Sequence, residues 1–388
     1  GSSCIGTITY RLSHVLGAFD LRPSAVMFSV IFSCFALAEA GPFRHWADYS
    51  FDDYKMDFNK TYIGSDVHET KKQLFEERMQ EVRMQNAKYT EGTSTWYAEI
   101  NEFSDWTEEE LRRLKKGRII ASAGSRSTFS PLRNVAGNPA RVDWREKNVA
   151  TKVKDQGGCG SCWAFGSTEV LESHFAIATG KLVELAPQAY VNCAPNPKGC
   201  GGTGGCEGAI PEIAFNWSAK AGLPLEADLP YKGRDAPCAP YRAAVKNEGY
   251  VKLPENDAEA LESAVAMIGP IAVNVAANWA SYGGGIYSGG CTTNKSCTLD
   301  HIVAVYGYDT SGEGSWLVRN SWGERWGERG YIRLSRRYDT TIFTDTEPAQ
   351  GTACKPFPER QRVMGESGVL YDSSYPTKVT GVANVFVV

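Results

Sequence analysis

Gln156-Gly-Gly-Cys159-Gly-Ser-Cys162-Trp-Ala-Phe165 decides how this chain is read. A glycine-rich turn ends at Ser161, and a helical segment then runs to Thr179-Gly180, where glycine ends a helix readily. Cys162 falls in the first turn of that expected helix. Unpaired N–H groups and the helix dipole there favour a thiolate over a thiol. A thiolate at neutral or acid pH needs a proton acceptor, for which histidine is the usual group. The chain has five histidines. His14, His45 and His68 precede a Gly-, Ser- and Arg-containing linker, residues 117–138, and would be lost on its cleavage. His174 lies on the same helix as Cys162, about 18 Å away at ~1.5 Å rise per residue. Elimination leaves His301, which opens the apolar run Ile302-Val-Ala-Val305.

A base needs an orienting partner. Asn320 follows an expected strand and precedes Ser321-Trp322-Gly323. Its side-chain oxygen is expected to accept from the imidazole, with Trp322 shielding the bond from water. Gln156 and the backbone N–H of Cys162 are the expected donors to an oxyanion. The competing reading of Cys159-x-x-Cys162 is a redox or zinc pair. No second closely spaced Cys or His pair completes a metal set, so no metal and no cofactor are expected.

Outward from this segment, the 388 residues suffice for a catalytic region and one smaller unit. A net charge of −4 gives no reason to expect nucleic acid or an anionic membrane as partner. Eleven cysteines point to an oxidising compartment. The apolar stretch Ala25 to Ala38 is too short and too interrupted for a membrane anchor. With Ala36-Leu-Ala38-Glu-Ala40 behind it, it reads as a signal peptide within residues 1–40, with Met27 as the expected start. Residues 41–116 read as helical, with Leu74, Phe75, Arg78, Val82 and Asn86 at spacings of three and four, and Asp105 or Thr107 as the cap of a short later helix. From residue 139 to 388, helices come first and strands follow: Ile271–Val275, Ile302–Tyr306, Ser315–Val318 and Tyr331–Leu334. That order implies α+β, with two lobes and a cleft.

Cys159-Gly-Ser-Cys162-Trp163, with His301 and Asn320 at 139 and 158 residues downstream of the nucleophile, resembles the papain family of cysteine proteases. Asn320-Ser-Trp-Gly323, Trp326-Gly-Glu-Arg-Gly-Tyr331 and Tyr371-Asp-Ser-Ser-Tyr-Pro376 extend the resemblance. It implies an endopeptidase of the cathepsin L type, acting on proteins and peptides in a lysosome, a vacuole or outside the cell. It also implies a helical left lobe and a β-barrel-like right lobe. Glu99-Ile-Asn101-Glu-Phe103-Ser-Asp105 resembles the core of the family's inhibitory propeptide, with Glu99 where Gly is usual and Arg78 where Asn is usual. The chain is therefore expected to be a monomeric zymogen that carries its own inhibitor, released in acid as Asp105 and the many Glu side chains lose charge toward pH ~4.

The resemblance favours disulfides Cys159–Cys206 and Cys193–Cys238, and makes Cys354 the expected partner of Cys291. Cys200 and Cys297 are left without an assignment, and counting alone permits 105 pairings of eight cysteines. It also places Ile210, Pro211 and Leu299 on the walls of the pocket for the second residue upstream of the cut. Asn274 falls on its rim and Asp372 on its floor, although a solvent-facing turn is an equally open reading of Asp372. Ala209 replaces a Gly that pairs with substrate backbone, Ser367 falls where relatives have a cysteine, and a Pro-rich expansion carrying Cys354 follows Leu334. Two other classes compete. A non-catalytic storage or binding protein would have lost Cys162, His301 or Gln156, and an inhibitor would not need the intact catalytic half.

Overall fold

A computed structural model of the chain describes residues 43–115, 137–291 and 297–387, apart from His45 and Ala47. The expected signal peptide and nearly all of the expected linker lie outside these residues. The N-terminal part is helical. Helix α1 (Phe51–Asp57) starts on a capping box between Ser50 and Asp53. Helix α2 (Ser65–Thr90) buries Phe75, Met79, Val82 and Asn86, one stripe at helical spacing. The three-and-four spacing in the sequence picks out all of that stripe except Met79, while Arg78 and Leu74 flank it half-buried. Strand β1 (Trp96–Ala98) and helix α3 (Glu108–Arg113) follow. Thr107, not Asp105, caps α3, through a capping box with Glu110. Asp105 instead accepts from Tyr54 (2.8 Å), Tyr62 (2.5 Å) and Lys60 (3.0 Å), which clamps the loop before α3 onto α1.

Strand β2 (Arg141–Asp143) opens the larger part. Helix α4 (Cys162–Thr179) is buried on all sides for its first fifteen residues, so it is a core element and not an amphipathic surface helix. Gly180 ends it in the left-handed region (φ 71°). Helices α5 (Pro187–Cys193) and α6 (Pro211–Ala221), each begun by a proline, pack around α4. Strands β3 (Tyr241–Lys246) and β4 (Gly249–Lys252) and helix α7 (Ala258–Met267) lead into β5 (Ile271–Val275), β6 (Tyr282–Tyr287), β7 (His301–Asp309), β8 (Ser315–Arg319) and β9 (Tyr331–Ser335). A hairpin of β10 (Ile342–Asp345) and β11 (Gln361–Met364) precedes β12 (Ser373–Thr377) and β13 (Thr380–Val387).

The main sheet runs β1-β6-β9-β8-β7-β5-β12-β4, with β2 also paired to β7. Strands β5, β7 and β8 are buried almost throughout, as continuous apolar runs predict. One core lies on this sheet, around Trp279, Trp316, Trp322 and Trp326. A second surrounds α4, with Trp163, Tyr190 and Leu223. Between them α4 packs on β7 so closely that a Cβ on Gly166 would lie 3.0 Å from Ile302 Cγ2. Two buried ion pairs tie α4 to its surroundings: Glu169 to Arg319 (3.2 Å) and Glu172 to Lys154 (3.0 Å). Arg319 also donates to Lys152 O (2.6 Å), so its charge is compensated on two sides.

Four disulfides join the described cysteines other than Cys162. Cys159–Cys206 and Cys193–Cys238 are as the resemblance implied. The expected Cys291–Cys354 pair is wrong. Cys291 closes a short loop to Cys297, and Cys354 reaches Cys200. The cause is the path of the expansion after β9. It carries Cys354 away from the sheet to the loop before α6, where Gly201 N donates to Ala353 O (3.1 Å).

Candidate active site

Gly166, one turn into α4, faces Ile302 at the head of β7. The packing of α4 on β7 therefore brings the helix start, with Cys162, to the strand start, with His301. Both residues are fully buried in the precursor. His301 Nε2–H donates to Asn320 Oδ1 at 2.8 Å, and the same oxygen accepts from Ser321 N at 2.8 Å. Two donors on one atom identify it as the amide oxygen, which fixes the His301 tautomer. Trp322 lies over the imidazole, with ring centroids 5.0 Å apart, and is itself 1% exposed. The His301–Asn320 bond lies in this dry setting, where a hydrogen bond is stronger than in water.

Gln156 Nε2 donates to Leu114 O at 2.8 Å, and the Trp322 indole N–H approaches the same oxygen at 3.4 Å. A peptide carbonyl from the N-terminal part therefore sits against the expected oxyanion donor. The amide of Gln156 is oriented by Ser321, whose Oγ donates to Oε1 at 2.6 Å. Tyr231 OH donates to Gln156 O (2.8 Å) and lies 2.7 Å from Ser161 Oγ, which joins the glutamine loop to the helix start. Burial pushes the Tyr231 hydroxyl up to about 12, so it stays protonated. Neither Ser321 nor Tyr231 is among the residues expected from the sequence to act here. Ser321 had a signal, its place beside Asn320; Tyr231, in a long irregular segment, had none. His174 is engaged elsewhere. It is buried, its Nε2 lies 2.9 Å from Pro270 O, and burial lowers its pKa to about 4.

The N-terminal part occupies the cleft. Strand β1 pairs with β6 as an added edge strand, Asn101 Nδ2 donates to Ala280 O (2.6 Å), and Lys115 pairs with Asp300 (2.9 Å). Phe103, Leu111 and Leu114 belong to the core of the sheet lobe, and Phe103 meets Trp322 edge-on.

Of the expected pocket residues, Asn274 and Asp372 come together, Nδ2 to Oδ2 at 2.5 Å. Asp372 is 2% exposed, so it does not lie in a solvent-facing turn. Its carboxylate pairs with Lys252 (2.5 Å), which also approaches Glu212 (3.6 Å). Burial alone would lower the Lys252 pKa, but the Asp372 and Glu212 charges outweigh it and raise it above the usual lysine range. Ile210 and Pro211 stand at the start of α6, and Leu299 is buried beside Cys297 and Val363. Among the described residues no cluster of His, Cys, Asp or Glu is arranged to hold a metal ion.

The pattern of the papain family cysteine proteases matches residues 138–351, more than half of the chain. The chain belongs to the papain family of cysteine proteases. The cathepsin propeptide inhibitor domain matches residues 51–111, so this papain-family protease is a zymogen with its inhibitor in the same chain. It is 35% identical over 316 residues to digestive cysteine proteinase 2 of Homarus americanus, covering 79% of this chain and 94% of that one. It is 36% identical over 317 residues to procathepsin L of Rattus norvegicus, covering 78% and 92%. The solved digestive procathepsin L2 proteinase of the Tenebrio molitor larval midgut superposes with a TM-score of 0.70 at 30% identity, over 84% of this chain and 98% of that one. The α+β papain-like fold and the blocked cleft of this protease are those of a proform.

Proposed function

We propose that the Cys162 thiolate attacks the scissile carbonyl carbon while His301, held by Asn320 through Nε2, exchanges the proton through Nδ1. The tetrahedral oxyanion takes hydrogen bonds from Gln156 Nε2 and the Cys162 backbone N–H. As it collapses, His301 protonates the leaving amine and an acyl-enzyme remains. Water, activated by His301, then releases the acid and restores the thiolate. The observation that carries this assignment is the Leu114 carbonyl within 2.8 Å of Gln156 Nε2, beside the tryptophan that covers His301. Peptide hydrolysis by Cys162→Ala and His301→Ala tests it, each expected to fall by at least about 10³-fold in a folded protein. Retained turnover in folded Cys162→Ala would sink the assignment.

The mature protease begins near Pro139 after cleavage within residues 117–138. Ile210, Pro211 and Leu299 form an apolar pocket with Asn274 at its rim. Asp372, neutralised by Lys252, forms its floor, which supports a preference for apolar residues over Arg. Trp322, which lies over His301 and approaches the Leu114 carbonyl, also contacts substrate. The protease acts as a monomer, its nucleophile, base and oxyanion donor all being carried by one catalytic region. Four disulfides support passage through the secretory route to a lysosome, a vacuole or the exterior. No described helix is long and apolar enough to cross a membrane.

A further inference from the structure

Trp322 is not the only indole against His301. Trp279, in the loop between β5 and β6, meets the imidazole nearly edge-on, with centroids 6.4 Å apart and ring planes at 78°. Both residues are buried, and this is the geometry of a favourable aromatic pair. Trp322 lies across the same ring at 5.0 Å and 32°. The two indoles meet the imidazole at different inclinations. Together they limit tilts that a single hydrogen bond to Asn320 leaves open. Trp279 is itself held at both ends. Its carbonyl accepts from Tyr282 N (2.8 Å) and Trp326 Nε1 (3.3 Å), and its indole N–H donates to Ser367 Oγ (3.1 Å).

Ser367 stands where relatives have a cysteine, and here its hydroxyl has a partner on each side. Having accepted from Trp279, it donates to Glu366 Oε1 (3.2 Å). The buried Glu366 carboxylate also accepts from Gly290 N (2.8 Å) and Gly289 N (2.9 Å). The bonds from the indole through the hydroxyl to the carboxylate all point one way, so each polarises the next, and a charged acceptor ends the chain. The backbone is built around this relay. Ser367 has φ 56° and ψ 20°, a left-handed conformation uncommon for serine, and strain of this kind concentrates at functional sites. A Cβ on Gly290 would stand 2.5 Å from Ser367 Oγ and 2.7 Å from Glu366 Oε1, so both side chains converge there and glycine is required. From this arrangement we infer that Trp279 is a positioning residue for His301, held in place by Ser367 and Glu366. The relay keeps the imidazole at the inclination that aims Nδ1 at the nucleophile. This rests on the nucleophile and base proposed above.

The test uses mature protease activated from the full chain, with active sites counted by stoichiometric alkylation so that kcat refers to folded enzyme alone. Trp279→Phe keeps a ring beside His301 but removes the N–H, and Ser367→Ala removes the acceptor of that N–H. Glu366→Gln keeps the shape but removes the charge. Each is expected to lower kcat about tenfold with KM little changed, because the imidazole and not the substrate is displaced. Trp279→Phe/Ser367→Ala is expected to be no slower than the slower single variant, since both substitutions break the same bond. Unchanged kcat in Trp279→Phe or Ser367→Ala overturns the proposal. So does a loss that falls on KM alone, or multiplication of the two losses in the double variant. Should a variant at 366 or 367 fail to fold, Trp279→Phe decides by its kcat against its KM. Failure of the nucleophile assignment is distinguishable, since Cys162→Ala would then retain turnover whatever stands at 279.

Discussion

Gln156 serves as an oxyanion donor only if its amide faces the cleft with nitrogen, and Ser321 Oγ on Oε1 enforces that orientation. Ser321→Ala is expected to lower kcat by about tenfold with KM little changed, because the contact matters most when charge develops on the substrate oxygen. An unchanged kcat would mean that the amide is oriented without Ser321. At the proposed pocket floor, Lys252 pairs with the Asp372 carboxylate. Lys252→Met leaves that carboxylate to pair with a basic substrate side chain, so the ratio of Arg to Leu turnover at the second upstream position should rise. Asp372→Ala on the wild-type background should leave that ratio low. His174 makes a separate, structural prediction. Its folded pKa is about 4 against an ordinary value of 6.5, because burial disfavours the charged ring. The unfolded chain therefore takes up a proton as pH falls through about 6.5 while the folded chain does not, and stability is lost progressively down to about pH 4. His174→Gln should remove this loss, on the order of 2–3 kcal/mol, from the difference between urea midpoints at pH 7 and pH 4.5. Its peptide turnover should be unaffected.

The propeptide is held at its turn by one carboxylate. Asp105 is buried and accepts from two tyrosines and Lys60. Asp105→Ala removes the acceptor of Tyr62 and the charge partner of Lys60, leaving Lys60 and Tyr54 only the Glu102 carbonyl (2.7 and 3.3 Å), a change that costs on the order of 3 kcal/mol. The intact Asp105→Ala precursor should therefore show peptide hydrolysis at neutral pH before any cleavage is visible on a gel. Silence of that precursor would place the hold on the cleft elsewhere. The two unexpected disulfides also differ in consequence. Their sequence separations are 154 for Cys200–Cys354 and 6 for Cys291–Cys297. Chain entropy alone assigns them about 5 and about 2 kcal/mol, so Ser pairs at 200/354 should lower the denaturation midpoint far more than Ser pairs at 291/297.

Across the whole molecule, the precursor is expected to be inert until the segment before about Pro139 is removed. The Leu114 carbonyl accepts from the Gln156 amide that a substrate needs, and Phe103, Leu111 and Leu114 are built into the core of the sheet lobe. Full activity of an uncleaved precursor at neutral pH would contradict this. The catalytic pair was legible in the chain because the reaction demands so few side-chain types. One cysteine stands at a helix start, and after geometry and cleavage only His301 remains to serve it. The buried helix α4 and the strands β5, β7, β8 and β9 were legible for a related reason, since their apolar runs fix length and type locally. The pairing of Cys354 with Cys200 was not, because it depends on the route of an excursion whose residues carry no period. The anchoring of Gln156 by Tyr231 and Ser321, and the neutralisation of Asp372 by Lys252, were likewise invisible. Each joins segments far apart in the chain, and only packing sets their distance. The sequence by itself determined the chemistry and the order of the elements. The tertiary structure alone decided the partners of Cys354, Gln156 and Asp372, because groups far apart in the chain meet only once the elements that carry them have packed.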